Sequence, residues 1–258
     1  MATLVCFHAH PDDEAIGTGG TIAKAVRDGH RVVLVTATRG EHGEYPEGFL
    51  HPGQSLREVR EAEMAEAVKV LGVDRHVFLG YVDSGMMGTP ENDAPDSFWQ
   101  ADTEEAARKF AAILIEEGAD VVTMYDENGI YGHPDHIKVW QVGTRAAEIA
   151  AVKKAYEGTI NRTAWLRRMQ PPEGTDEQQP TIEFPLGVDE DHLTTAVDVH
   201  DFIEVKKAAM RAHRSQITEE SFFLQMSDED FAAGFGTEWF IRKGAPGGIH
   251  EHDLFEGL

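Results

Sequence analysis

The string His10-Pro11-Asp12-Asp13-Glu14 places one imidazole and three carboxylates within five positions. That is a donor set for a hard-to-borderline divalent cation. Pro11 restricts the turn and biases His10 away from helical dihedrals, which helps present the side chains beyond whatever element precedes them. The same residues also describe a helix N-terminus, where Asp12, Asp13 and Glu14 would be favoured by the helix dipole. Taken alone, the string leaves both readings open. A second cluster, Tyr131-Gly132-His133-Pro134-Asp135-His136, repeats its order of histidine, proline and aspartate. His133 and His136 are spaced to share one side of a turn. If the two clusters converge, His10, Asp13 and His136 supply two imidazoles and one carboxylate with a coordination position left for water. That is the arrangement of a catalytic zinc, not of a closed structural site. The same shell accepts iron or cobalt.

Both clusters need elements to aim them. Leu4–Phe7, Arg31–Thr36, Val77–Leu79 and Asp120–Tyr125 are short apolar runs that read as strands. Between them, Leu56, Val59, Met64, Ala67, Val68 and Leu71 recur at helical spacing and stop at Gly72. Ala106, Phe110, Ile113 and Leu114 do the same before Gly118, and Ile137, Trp140, Ala147 and Ile149 mark another helix. Alternation of this kind predicts an α/β fold: a Rossmann-like, mostly parallel sheet flanked by helices, in one domain spanning residues 1–258. Each cluster then follows a strand, at the carboxyl end where open α/β sheets bind ligands. The C-terminal portion is elaborated. Pro171–Pro180 reads as a surface loop, Thr194–Val199 and Glu238–Arg242 as strands, and Phe202–Ala212 as a helix leading into His213-Arg214-Ser215-Gln216.

With these motifs the sequence resembles the PIG-L/LmbE-like family of zinc-dependent deacetylases. The resemblance extends through Thr38-Arg39-Gly40-Glu41, Arg60-Glu61-Ala62-Glu63, Leu71-Gly72-Val73, Leu79-Gly80-Tyr81, Asp83-Ser84-Gly85-Met86 and Ala212–Gln216. It is strongest for the actinobacterial mycothiol branch. It implies metal ligands at His10, Asp13 and His136, and a general base at Asp12. His133 would assist charge and leaving-group chemistry, with Asp135 orienting it, and Tyr131 would stabilise an oxyanion. Arg60 and Asp83 would contact the sugar, Arg39 would sit on a rim loop, and His213 would lie on the substrate side. Glu14 would be a cap or a supporting residue. The implied reaction is zinc-dependent hydrolysis of the amide of an N-acylated amino-sugar conjugate. Cleavage of a larger acyl-cysteinyl amide is the alternative within the family. A metal-independent glycosidase built on Asp12 and a second carboxylate, or a non-catalytic sugar or metal binder, are the rivals from other classes.

Composition excludes further classes. Among 258 residues, 23 Lys and Arg face 46 Asp and Glu, a formal charge of −23. That field opposes nucleic acid and anionic membrane surfaces; the small amino-sugar partner is what the family resemblance implies. No run approaches a membrane span, and the opening Met-Ala-Thr-Leu-Val-Cys-Phe reads as a strand and not a signal peptide, so a cytoplasmic protein is expected. Cys6, the one cysteine, reads as an inert thiol inside a strand. Gly17-Thr18-Gly19-Gly20 lacks the spacing of a dinucleotide loop and reads as helix packing. Met86 and Met87 read as loop fillers, and His250 and His252 as solvated. The sequence leaves the oligomeric state unassigned.

Overall fold

The computed structural model describes residues 1–169 and 186–258. The loop expected over Pro171–Pro180 lies outside the described residues. Seven strands form one sheet: β1 (Thr3–His8), β2 (Arg31–Thr36), β3 (Arg75–Phe78), β4 (Val121–Tyr125), β5 (Lys154–Thr159), β6 (Thr195–Asp198) and β7 (Thr237–Arg242). Their order is β3-β2-β1-β4-β5-β7-β6. The first five are mutually parallel, while β7 runs antiparallel to both β5 and β6. The strand latest in the chain therefore lies inside the sheet. β1 and β2 are near-continuous apolar runs because helices cover both faces of the parallel core. β5, Lys-Ala-Tyr-Glu-Gly-Thr, has no such run, and sequence reading passed over it.

Ten helices accompany the sheet among the described residues: α1 (Asp13–Gly17), α2 (Gly19–Arg27), α3 (Leu56–Leu71), α4 (Thr103–Glu116), α5 (Gly129–Gly132), α6 (Pro134–Ile149), α7 (Arg162–Arg168), α8 (Ile203–Ala212), α9 (Phe222–Gln225) and α10 (Asp228–Phe235). α3 starts where the Ser55 hydroxyl and Glu58 carboxylate cap each other's backbone, and stops at Gly72 in the left-handed conformation. The alternation of β1 sorts the core into two layers. Leu4 and Cys6 pack with Ile22 of α2 and with Ala209 and Met210 of α8. Val5 and Phe7 face the opposite side, with Phe110 of α4 and Val139 and Val142 of α6. Cys6 is fully buried and its thiol is pushed up to about 12 by desolvation, so it is inert. A Cβ on Gly20 would lie 2.5 Å from the Cβ of Val199, which makes this glycine a close-packing residue of α2.

The chain leaves β1 toward β2 on one side, while β4 and β5 lie on the other. The crevice beyond the carboxyl ends of β1 and β4 is the point at which strand order reverses, where open α/β sheets bind ligands.

Candidate active site

The first cluster leaves β1 and folds directly into α1. Asp12 precedes that helix with φ 112° and ψ −31°, a conformation that L side chains rarely adopt. Its carbonyl accepts the amides of Ala15 and Ile16 at 3.0 and 3.2 Å. Asp13, in the first turn, accepts the His10 amide on Oδ2 at 2.8 Å. Glu14 is no exposed cap: it is 0% accessible, with Oε2 accepting the Asp12 amide at 3.0 Å and Oε1 2.6 Å from His213 Nε2.

The second cluster leaves β4 through a loop wound around Asp126. Its Oδ1 accepts the amides of Asn128 and Ile130 at 3.0 and 2.9 Å. Gly129 has φ 62°, and a Cβ there would fall 2.7 Å from the Cβ of His136. His133 precedes α6, and its Nδ1 accepts the Asp135 amide at 3.1 Å. A neutral imidazole bonded this way carries its proton on Nε2 and is a donor. Burial, aided by the charges of His10 and His136, pushes His133 down to about 2, so it stays neutral.

The two clusters meet across the crevice. The ring nitrogens of His10, His133 and His136 come within 4.8 Å of one another. His10 Nδ1 lies 3.4 Å from Asp13 Oδ2, and His136 Nε2 lies 3.4 Å from Asp13 Oδ1. Those separations are long for hydrogen bonds. They match the roughly 3.3–3.4 Å between neighbouring ligand atoms of a tetrahedral ion with bonds of about 2.0–2.1 Å. The spacing of Asp13 from His10 and His136 is thus compatible with a small divalent ion between them, and His133, with its proton on Nε2, is a donor beside it. The field points the same way. Burial would lower the His10 imidazole, but Asp83, Asp13 and Asp135 raise it well above its ordinary value, so positive charge is favoured here. Burial would raise the Asp13 carboxyl, yet His136 and His10 hold it well below the usual carboxylate range.

Asp135 differs from its expected role. Only its backbone amide reaches His133. Its fully buried carboxylate accepts the Ser84 amide at 3.0 Å and the Ser84 hydroxyl, and lies 3.1 Å from His10 Nε2. It thus orients His10, fixing the proton on Nε2 and freeing Nδ1 to face Asp13. Asp12 keeps its Oδ1 3.3 Å from the Arg60 guanidinium, and burial pushes its carboxyl up to about 6 against that neighbour. Tyr131, 38% accessible, stands at the mouth with its hydroxyl 3.5 Å from His136 Nε2.

The residues expected on the sugar side are tied inward. Arg60 is 3% exposed and donates to the carbonyls of Gly40 and Pro11. Asp83 accepts the amides of His42 and Gly85 at 3.1 and 2.9 Å, and its Oδ1 lies 3.5 Å from His10 Nε2. It therefore lies beside the histidine cluster. Arg39 is paired with Glu61 and lies 4.6 Å over the Phe78 ring. His213 is wholly enclosed against Glu14. Sequence reading missed Ser84 in this role, and also Tyr125, whose ring stacks on His136 at 4.2 Å while its hydroxyl accepts the Ala9 amide at 3.1 Å. A tyrosine ending an apolar strand carries no sequence mark of that duty.

Against known families, the model described as GlcNAc-PI de-N-acetylase, PIG-L, matches residues 5–147. The chain belongs to the PIG-L family. As a PIG-L member it is an enzyme that cleaves an amide bond. Its relatives include proteins named 1D-myo-inositol 2-acetamido-2-deoxy-alpha-D-glucopyranoside deacetylase. The one from Thermomonospora curvata is 41% identical over 99% of this chain and 96% of its own. The one from Thermobispora bispora is 40% identical over 95% of this chain and 89% of its own. Among solved structures, the N,N'-diacetylchitobiose deacetylase from Pyrococcus horikoshii superposes with a TM-score of 0.62 at 24% identity, over 93% of this PIG-L chain and 83% of that one. It shares the fold.

Proposed function

We propose that this PIG-L enzyme is a zinc-dependent deacetylase of an N-acetylglucosaminyl-inositol, releasing acetate and the free amine. The observation that supports the reading is the meeting of His10, Asp13, His133, His136 and Tyr131 at the sheet's reversal point, with Asp12 next to Asp13 in the chain. The full-length similarity to relatives bearing the glucosaminyl-inositol name supports the substrate. His10, Asp13 and His136 would hold the ion; when bound, it polarises the acyl oxygen and acidifies water.

The chain's own residues do the rest. Asp12 borders Asp13 at the mouth and takes the proton of the attacking water. His133 enters neutral with its proton on Nε2, a hydrogen-bond donor to the oxygen that gains charge, and the proton that Asp12 took from water passes to the departing amine. The Tyr131 hydroxyl is a second donor for the oxygen that gains charge, and burial keeps that phenol protonated by raising it above its ordinary value. Water thus adds to the carbonyl carbon, the C–N bond breaks, and the nitrogen leaves as amine with the transferred proton. Neither a glycosidase nor a passive binder needs a neutral imidazole donor opposite a carboxylate base.

The test is metal analysis coupled to product analysis. The purified protein should hold about one zinc per chain and release acetate from N-acetylglucosaminyl-inositol. His136→Ala should lose metal and turnover together. Full metal content in that variant would overturn the ligand assignment. Preferential release of an acyl-cysteine from a larger conjugate would move the substrate to the amidase branch.

A further inference from the structure

One buried charged pair near the crevice has no part in the chemistry above. Glu14 and His213 are both 0% exposed, with Oε1 and Nε2 2.6 Å apart. A buried pair of this kind is weak ground for stability, because desolvating both groups offsets their attraction. Its geometry points elsewhere. The second oxygen of Glu14 accepts the backbone amide of Asp12, at 3.0 Å, where the chain takes a positive φ that an aspartate rarely adopts. Strained backbone persists where surrounding structure over-determines it, and it gathers at functional sites. From the other side, Arg60 grips the Pro11 carbonyl and stands 3.3 Å from Asp12 Oδ1. His213 itself ends α8, well beyond residue 147 where the family match stops. It is reinforced by Ser215, whose amide and hydroxyl donate to the buried Glu63 carboxylate at 2.8 and 2.7 Å.

We infer that Glu14 and His213 are positioning residues: His213 fixes the Glu14 carboxylate, and Glu14 holds Asp12 in the backbone conformation that points its side chain at the reacting water. The inference rests on the reading of Asp12 as general base. It makes the C-terminal portion part of the catalytic apparatus, although no C-terminal side chain touches the reacting atoms through this chain of contacts.

His213→Gln should lower kcat about 10- to 100-fold, the scale of a misplaced catalytic group. KM should stay within about twofold and metal content should remain full. In an Asp12→Asn background the same substitution should change residual turnover by less than about twofold, because the base it positions is already gone. A loss in His213→Gln that multiplies onto Asp12→Asn, appears in KM, or is absent overturns the inference. If Asp12→Asn alone keeps wild-type turnover, the base assignment has failed instead. Should His213→Gln not fold, Glu14→Gln and Glu14→Ala decide. The amide keeps an acceptor for the Asp12 backbone and should retain at least tenfold more turnover than alanine. Equal losses overturn the inference.

Discussion

Replacing Asp135 by asparagine separates two roles that the sequence assigned to one place. The side chain keeps its shape, and the amide oxygen still accepts from His10 Nε2 and the Ser84 backbone, now at 3.1 and 3.0 Å from Oδ2. The amide nitrogen would face the Ser84 hydroxyl, which already accepts the Trp99 amide at 2.8 Å. What disappears is the negative charge behind His10. A charge-assisted hydrogen bond contributes about 1.5–3 kcal/mol, and each ~1.4 kcal/mol is tenfold in binding. Asp135→Asn should therefore weaken zinc about 10- to 100-fold, the range usual for partners behind a ligating histidine. Competition with a chromophoric chelator reads the affinity, and a thermal melt of the metal-free protein checks the fold. At saturating zinc, turnover should return to within about tenfold of wild type. Unchanged affinity with a turnover loss of ~100-fold at saturation would refute the argument and return the carboxylate to His133.

Three further perturbations follow from the geometry. Because Asp12 must be ionised to accept a proton and is pushed up to about 6, kcat/KM should fall as pH drops through that region, or lower once a cation is bound. Asp12→Asn should abolish the limb and cost about 10²–10⁴ in turnover; an unaltered limb rules Asp12 out as base. His76, 3.0 Å from the Thr36 hydroxyl, is pushed down by burial from 6.5 to about 4. The unfolded chain protonates first, so stability present above pH 6.5 is lost toward pH 4, by at most ~3 kcal/mol. Urea titrations of His76→Phe at both ends should show a smaller pH difference than wild type, and equal differences would count against the linkage. Gly129→Ala places a methyl 2.7 Å from the His136 Cβ at φ 62°, so it should cost about 1–3 kcal/mol and lower zinc retention. Full retention at unchanged melting temperature would show that the loop gives way.

The sheet's parallel half was legible because β1, β2 and β4 are buried on both faces and must be apolar throughout. β5 was not, since Lys154 and Tyr156 are buried through polar contacts with Glu251 and not as part of an apolar stripe. The residue types of the two motifs were legible, and the structure brings the ring nitrogens of His10, His133 and His136 together with Asp13 3.4 Å from His10 and from His136. Their partners were less so. Asp135 stands beside His133 in sequence, yet a residue at the start of a helix can turn its amide to one neighbour and its carboxylate to another. Arg60 and His213 have polar types that suggest a ligand, and their burial and their contacts with Pro11, Asp12 and Glu14 were not legible in the sequence. Periodicity carries no information on which side of a crevice a long side chain ends.

The order β5-β7-β6 bears on how the chain is made. A ribosome delivers β6 before β7, yet β6 pairs with β5 only through β7. Until Arg242 has emerged, β5 presents an open row of amides and carbonyls, the kind of edge on which nascent chains join one another. Closure of this side of the sheet thus waits until β7 is available to pair with both β5 and β6. C-terminal truncations that remove β7 should produce aggregates and not a smaller enzyme, even when every residue of the two histidine clusters is retained.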